Sequence, residues 1–291
     1  MPRTPIEHLP IIDTHQHLWD LVRFKPPWLA LPGEEKINTP STLREYAAQT
    51  AGLNVMKTVY MEVDVAERQQ QEEADWVTAL CKSGKTVMRA AIVSARPATP
   101  GFAKYLRGFA GNPYVKGVRQ VLQVPDAKPG LCLTDAYVRA MRLCGTLGKT
   151  FDLCMRPAEL ADGAKLAALC PDTRFVLDHC GNGAARNPSQ RQWERDIAFV
   201  AKRRNVVCKI SGIVKTVPEG RDIAEELRPV VRRAIDVFGP DRVMFGGDWP
   251  VCNKTATFRK WVEALDSIVA DASESERRRL FHDNAAKWYG I

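Results

Sequence analysis

Histidine is scarce in this chain. There are five in 291 residues, and His8 and His282 fall outside any pattern, so neither is assigned a role. No apolar run approaches the roughly 18 residues that a membrane span needs. The N-terminal segment also lacks an apolar stretch followed by a cleavage site, so a soluble, cytoplasmic protein without membrane contact is expected. Cys-x-x-Cys pairs are missing: the eight cysteines are scattered, several inside apolar segments, which predicts buried free thiols rather than disulfides or a zinc ribbon. There is no internal repeat, no disordered composition and no linker between two composition regimes. The net charge is +8, yet Lys and Arg are spread along helical segments, with knots only at 202–204, 231–233 and 276–279. With no nucleic-acid-binding motif, this is expected to be a solvated face that at most attracts anions.

What is present is alternation. Eight short apolar segments resemble buried parallel strands, at 11–15, 56–62, 87–93, 115–122, 150–155, 174–179, 206–211 and 242–245. Stretches with helical period lie between most of them, at 42–51, 68–82, 137–147, 158–168, 190–203 and 223–238, and two more follow at 257–270 and 274–287. Ser41 is the expected N-cap of the first, and Ser273 with Glu276 makes a capping box for the last. The Pro and Gly clusters at 26–33, 96–101 and 124–130 read as loops. With 45% hydrophobic residues, this order predicts an α/β protein: one (β/α)8 TIM barrel spanning 1–291 as a single domain, with its active site at the C-terminal strand ends.

The polar residues cluster at those ends. His15 and His17 lie two apart at the end of the first strand and so face one place. Two histidines are half a metal site; His179 and Asp248 are the natural partners. The second strand ends in Glu62 and Asp64, the fourth in Arg119 and Gln120, and the fifth in Asp152 and Arg156. Asp178, His179 and Asn182 follow the sixth, Lys209 and Ser211 the seventh, and Asp248 the eighth. One charged strand-end residue is commonly a salt bridge. Their recurrence on every strand but the third points to a site, because a barrel interior is otherwise packed with branched apolar side chains.

The segments IIDTHQHLWD, Trp28-Leu29, VKGVRQ, VLDHCGN, CKISG, MFGGDWP and FHDNAAKWYG occur in this order from residue 11 to residue 290. Together they resemble the amidohydrolase superfamily in its lactonase-like branch, the group of the L-fuconolactonases and L-rhamnonolactonases. The resemblance implies a (β/α)8 barrel, ester-type hydrolysis and a central cluster of His15, His17, His179 and Asp248. Binuclear members add a lysine or glutamate at strand four and a histidine at strand five, where this chain has VKGVRQ and FDLCMRP. At most one divalent ion is therefore expected on His15, His17, His179 and Asp248, Zn²⁺ by preference. Because the branch includes members that work without metal, none need be required.

Opening a lactone takes an activated water, a stabilised oxyanion and a proton for the leaving oxygen. Asp248 is the expected general base, with His15, His17 and His179 beside it. Arg119 and Lys209 are candidates for holding developing charge, and Arg119 and Arg156 for gripping a carboxylate. Trp19, Trp28 and Trp249 offer flat faces to a ring, and Asn182 and Glu62 could bond hydroxyls. The expected activity is hydrolysis of a small lactone, a sugar-acid lactone such as L-fuconolactone first, in carbohydrate catabolism. A one-metal decarboxylase of the same superfamily and a non-catalytic basic binding module are the alternatives. Whether the chain is a monomer or a homodimer is left open.

Overall fold

The computed structural model describes residues 3–24, 26–187 and 189–291. Its parallel strands are β1 Ile11–Gln16, β2 Val55–Met61, β3 Met88–Ser94, β4 Val115–Val121, β5 Thr150–Cys154, β6 Phe175–Leu177, β7 Val206–Ile210 and β8 Val243–Phe245. They form one 8-stranded sheet in sequential order. A parallel bridge between Gln16 and Trp249 joins the last strand's end to the first, and the His17 N–H donates to the Trp249 carbonyl at 2.8 Å. The result is a nearly closed (β/α)8 barrel, as the alternation predicts. β4 and β5 approach closely at Gly117, where a Cβ would lie 2.1 Å from Thr150 Oγ1.

Two apolar layers follow from the strand alternation. Ile12, Val59, Met61, Ala90, Ile92, Val176, Val207 and Met244 fill the barrel interior, closed at one end by Ala285 and Tyr289. Residues on the other strand faces, such as Ile11, Tyr60, Phe151 and Phe245, pack against the surrounding helices. One of these helices, Gln70–Ser83, is tied to the end of β2 through Glu73. The Tyr60 hydroxyl and the Val63 N–H both donate to Glu73 Oε1 at 2.9 Å.

Most helices match the expected ones within a few residues, and Ile223–Phe238 coincides. Four details differ. The first helix, Leu43–Thr50, is capped by Thr42 rather than Ser41, with Glu45 completing the box; Ser41 instead bridges to Trp19. A short helix, Phe102–Arg107, follows the Pro- and Gly-rich loop at 96–101 and was hidden by it. The last helical region is broken by a π-type turn, Arg279–Asp283, between Glu274–Arg278 and Asn284–Tyr289. Finally, β6 ends at Leu177, because the backbone at His179 turns left-handed, with φ 56°.

Candidate active site

Asp13, just inside β1, locks the two ends of the barrel together. Its Oδ1 accepts from the N–H of His15 at 3.0 Å and of Gly247 at 2.7 Å, and its Oδ2 accepts from the Tyr46 hydroxyl at 2.8 Å. The loop after β8 is thus held against β1, which brings Asp248 beside both histidines. Asp248 Oδ1 lies 3.3 Å from His17 Nε2 and 3.5 Å from His15 Nε2. His17 Nδ1 sits 2.9 Å from the Met61 carbonyl, so that nitrogen must carry the proton. His179 Nδ1 pairs with Ser211 Oγ at 2.9 Å, and its ring lies 4.6 Å from that of His15. The structure therefore brings His15, His17, His179 and Asp248 together. His179 and Asp248 both have left-handed backbones, φ 56° and 53°, a costly conformation in non-glycine residues that concentrates at working sites.

Beneath this cluster lies an ionic layer inside the barrel. Arg119 Nε pairs with Glu62 Oε1 at 2.6 Å and Nη1 with Asp178 Oδ2 at 3.3 Å, while Nη1 also reaches His15 Nε2 at 3.3 Å. Lys209 Nζ pairs with Asp152 Oδ2 at 2.6 Å and Asp178 Oδ1 at 3.3 Å. Burial alone would discharge Lys209, but Asp152 and Asp178 outweigh it and hold the ammonium charged. Burial lowers His15 well below its usual range and His179 to about 4, against the pull of the nearby carboxylates. Burial would raise Asp248, yet His179, His17, His15 and Lys215 hold it far below the usual carboxylate range. At neutral pH the site thus presents an ionised Asp248 between uncharged His15 and His179.

A cavity of about 260 Å³ opens above this layer, walled by His17, His179, Asp248, Arg119, Trp28 and Cys154 among others. Trp28 is anchored by its Nε1–H to the Val63 carbonyl at 2.8 Å. The other sequence candidates for substrate contact are not on this wall. Glu62 and Lys209 are fully buried in the ionic layer. Arg156 ties down the loop after β4 through the carbonyls of Val124 and Ala127 and pairs with Glu159. Asn182 donates to Gln123 Oε1 and the Met155 carbonyl, both at 2.6 Å. Trp249 is packed against Tyr46, and Trp19 donates to the carbonyls of Ile37 and Thr39. The wall residues that sequence reasoning missed include the polar or ionisable Glu34, Gln123, Cys154, Lys215 and Lys254. For Lys215 the signal was available, a lysine three residues after the strand-seven run CKISG.

Donor atoms of His15, His179 and Asp248 lie within 4.8 Å of one another. His17 strengthens the case for a cation. Its Nδ1 proton is committed to Met61, so a neutral ring turns the Nε2 lone pair toward Asp248 Oδ1, and a proton or metal between them relieves the conflict. Asp248 Oδ2 is buried without a hydrogen-bond partner among the described residues. This set fits one divalent ion. The further group Cys154, Asp178 and His179 shares His179 with the first, and the Arg119 guanidinium beside Asp178 opposes a second charge there.

An L-fucono-1,5-lactonase of Burkholderia multivorans is 26% identical over 295 residues, covering 96% of each chain. An uncharacterised protein of Sinorhizobium fredii is 28% identical over 303 residues, covering 97% of this chain and 98% of its own. Among solved structures, an amidohydrolase of Burkholderia multivorans with bound zinc superposes with a TM-score of 0.86 at 23% identity, over 97% of this chain and 99% of that one. The amidohydrolase family model matches residues 12–291. The chain is an enzyme of the amidohydrolase family.

Proposed function

We propose that the enzyme hydrolyses a small lactone, a sugar-acid or carboxylated lactone, with Asp248 as general base. The observation that carries this reading is the place of Asp248: buried on the cavity wall within 3.5 Å of His15 and His17, with Oδ2 left without a hydrogen-bond partner among the described residues. A water placed there has a proton acceptor. The uncharged imidazoles of His15 and His179 can relay the proton or orient the water without competing for charge. Arg119, held by Glu62 and Asp178, keeps a fixed positive charge facing the cavity, which favours an oxyanion. Trp28 supplies an apolar wall for the ring, and about 260 Å³ is room for a single ring and its substituents. The lactonase names of relatives support a lactone as substrate and a place in carbohydrate breakdown. If a divalent ion is bound, His15, His17, His179 and Asp248 would hold it, and it would supply Lewis-acid polarisation and a more acidic water.

A pH-indicator screen over sugar-acid and muconate-type lactones, before and after chelation, tests the reading. Ring opening of at least one lactone well above the spontaneous rate is expected. No opening of any, with CO₂ released from carboxylated phenols instead, would assign the site to decarboxylation.

A further inference from the structure

We infer that Lys215 is the anion-binding group of the cavity, and that it selects a lactone carrying a carboxylate over an uncharged one; this rests on the lactone reading above. The argument is one of charge pairing. Among the described residues, the cavity wall holds three cations, Arg119, Lys215 and Lys254. Two of them are already paired: Arg119 with Glu62 and Asp178, and Lys254 with Glu34 at 2.8 Å. On the same wall Asp64 pairs with Arg96 at 2.8 Å. Lys215 makes no ion pair within 4.0 Å among the described residues, although it is half-buried and close enough to act electrostatically on His179, Asp248 and Cys154. An unpaired ammonium partly withdrawn from water is left short of the partners it would have in solvent, and a bound anion supplies them.

The backbone that carries Lys215 is held by its neighbours. Lys215 sits in a single 3-10 turn, Val214–Thr216, just beyond β7. Thr216 Oγ1 accepts from the Ala185 N–H at 2.9 Å and donates to the Ile213 carbonyl at 2.6 Å. Thr255 Oγ1 donates to the Val214 carbonyl at 2.8 Å. The turn is thereby pinned to the loops after β6 and β8, which sets the Lys215 ammonium at a fixed place on the C-terminal face of the barrel. Arg119 already holds a fixed positive charge on the same wall for the oxyanion, which leaves Lys215 for a carboxylate substituent of the ring.

The test compares wild type with Lys215→Met and Lys215→Arg, after circular dichroism shows that each variant is folded. In the first arm, kcat/KM is measured for a carboxylated lactone and for an uncharged lactone. The ratio of the two should fall roughly ten- to a hundredfold in Lys215→Met, the scale of a lost charge-assisted contact, carried mainly by KM, and should largely return in Lys215→Arg. An equal loss on both lactones overturns the assignment in favour of a role at the oxyanion or in the fold. The second arm does not depend on turnover. Calorimetry should show tetrahydrofuran-2-carboxylate binding about tenfold or more weakly to Lys215→Met, with tetrahydrofurfuryl alcohol showing no such discrimination. Equal carboxylate affinity in both proteins overturns the inference. Weakened carboxylate binding without hydrolysis of any lactone would keep Lys215 as the anion site and remove the lactone reading alone.

Discussion

Lys209 lies two residues after Val207 on β7, and alternation along a strand turns both side chains into the barrel interior. A strand-end position alone does not distinguish a lysine that faces ligand from one that neutralises buried acids; that depends on where the carboxylates of other strands fall. Here Asp152 from β5 and Asp178 after β6 meet the ammonium at 2.6 and 3.3 Å. Replacing Lys209 with Met leaves both acids buried without their cation, and removing one partner of a buried pair costs about 3–5 kcal/mol. The melting temperature of Lys209→Met should therefore drop by many degrees; a drop of under about two degrees would show that the ionic layer contributes little to the fold. Glu73 makes the opposite kind of prediction. Burial first, and Glu62 second, push it up to about 8 from the usual 4.5. Between those values the folded state holds a proton that the unfolded state has released, so stability falls as pH rises through this window. Glu73→Gln preserves an acceptor for Tyr60 and Val63 and has no proton to lose. Its melting curve should fall less steeply than wild type between pH 5 and 8 and lie above it at pH 8, whereas parallel curves would refute the protonated state.

At the scale of elements, the site depends on strand ends that stop being strand. Periodicity places 174–179 in one strand, but the left-handed residues His179, Cys180, Gly181 and Asn182 turn the chain away after Leu177, and this turn is what aims His179 into the cavity. Apolar pattern carries no information about such dihedrals, so the residue was legible and its geometry was not. Gly212 has the same standing. Its φ is 64°, and a Cβ there would lie 2.2 Å from His179 Nδ1. Gly212→Ala should displace the imidazole from Ser211 and lower kcat by tenfold or more, a loss larger than its effect on the melting temperature would suggest. Unchanged kcat in a folded Gly212→Ala protein would mean that the His179–Ser211 contact is dispensable.

For the whole molecule, the order of strands could be taken from the sequence because it rests on short-range features, apolar runs and turn residues, while the four central residues came from histidines two apart on a strand together with the motifs that carry the lactonase-like resemblance. The wall of the cavity could not be taken from it. Cys154 and Lys254 reach it only through barrel closure, and Arg156, Asn182 and Glu62 are turned to loops and buried partners by contacts between strands distant in sequence. What the barrel achieves is to hold one ionised carboxylate, Asp248, out of water beside three imidazoles. The kinetics of Asp248→Asn test that claim most directly, since the amide keeps the volume and loses the capacity to take a proton. On a lactone opened by wild type, with native circular dichroism confirmed, kcat should fall by roughly 10²–10⁴, the range for removal of a general base; a folded variant within about threefold of wild type would contradict the account.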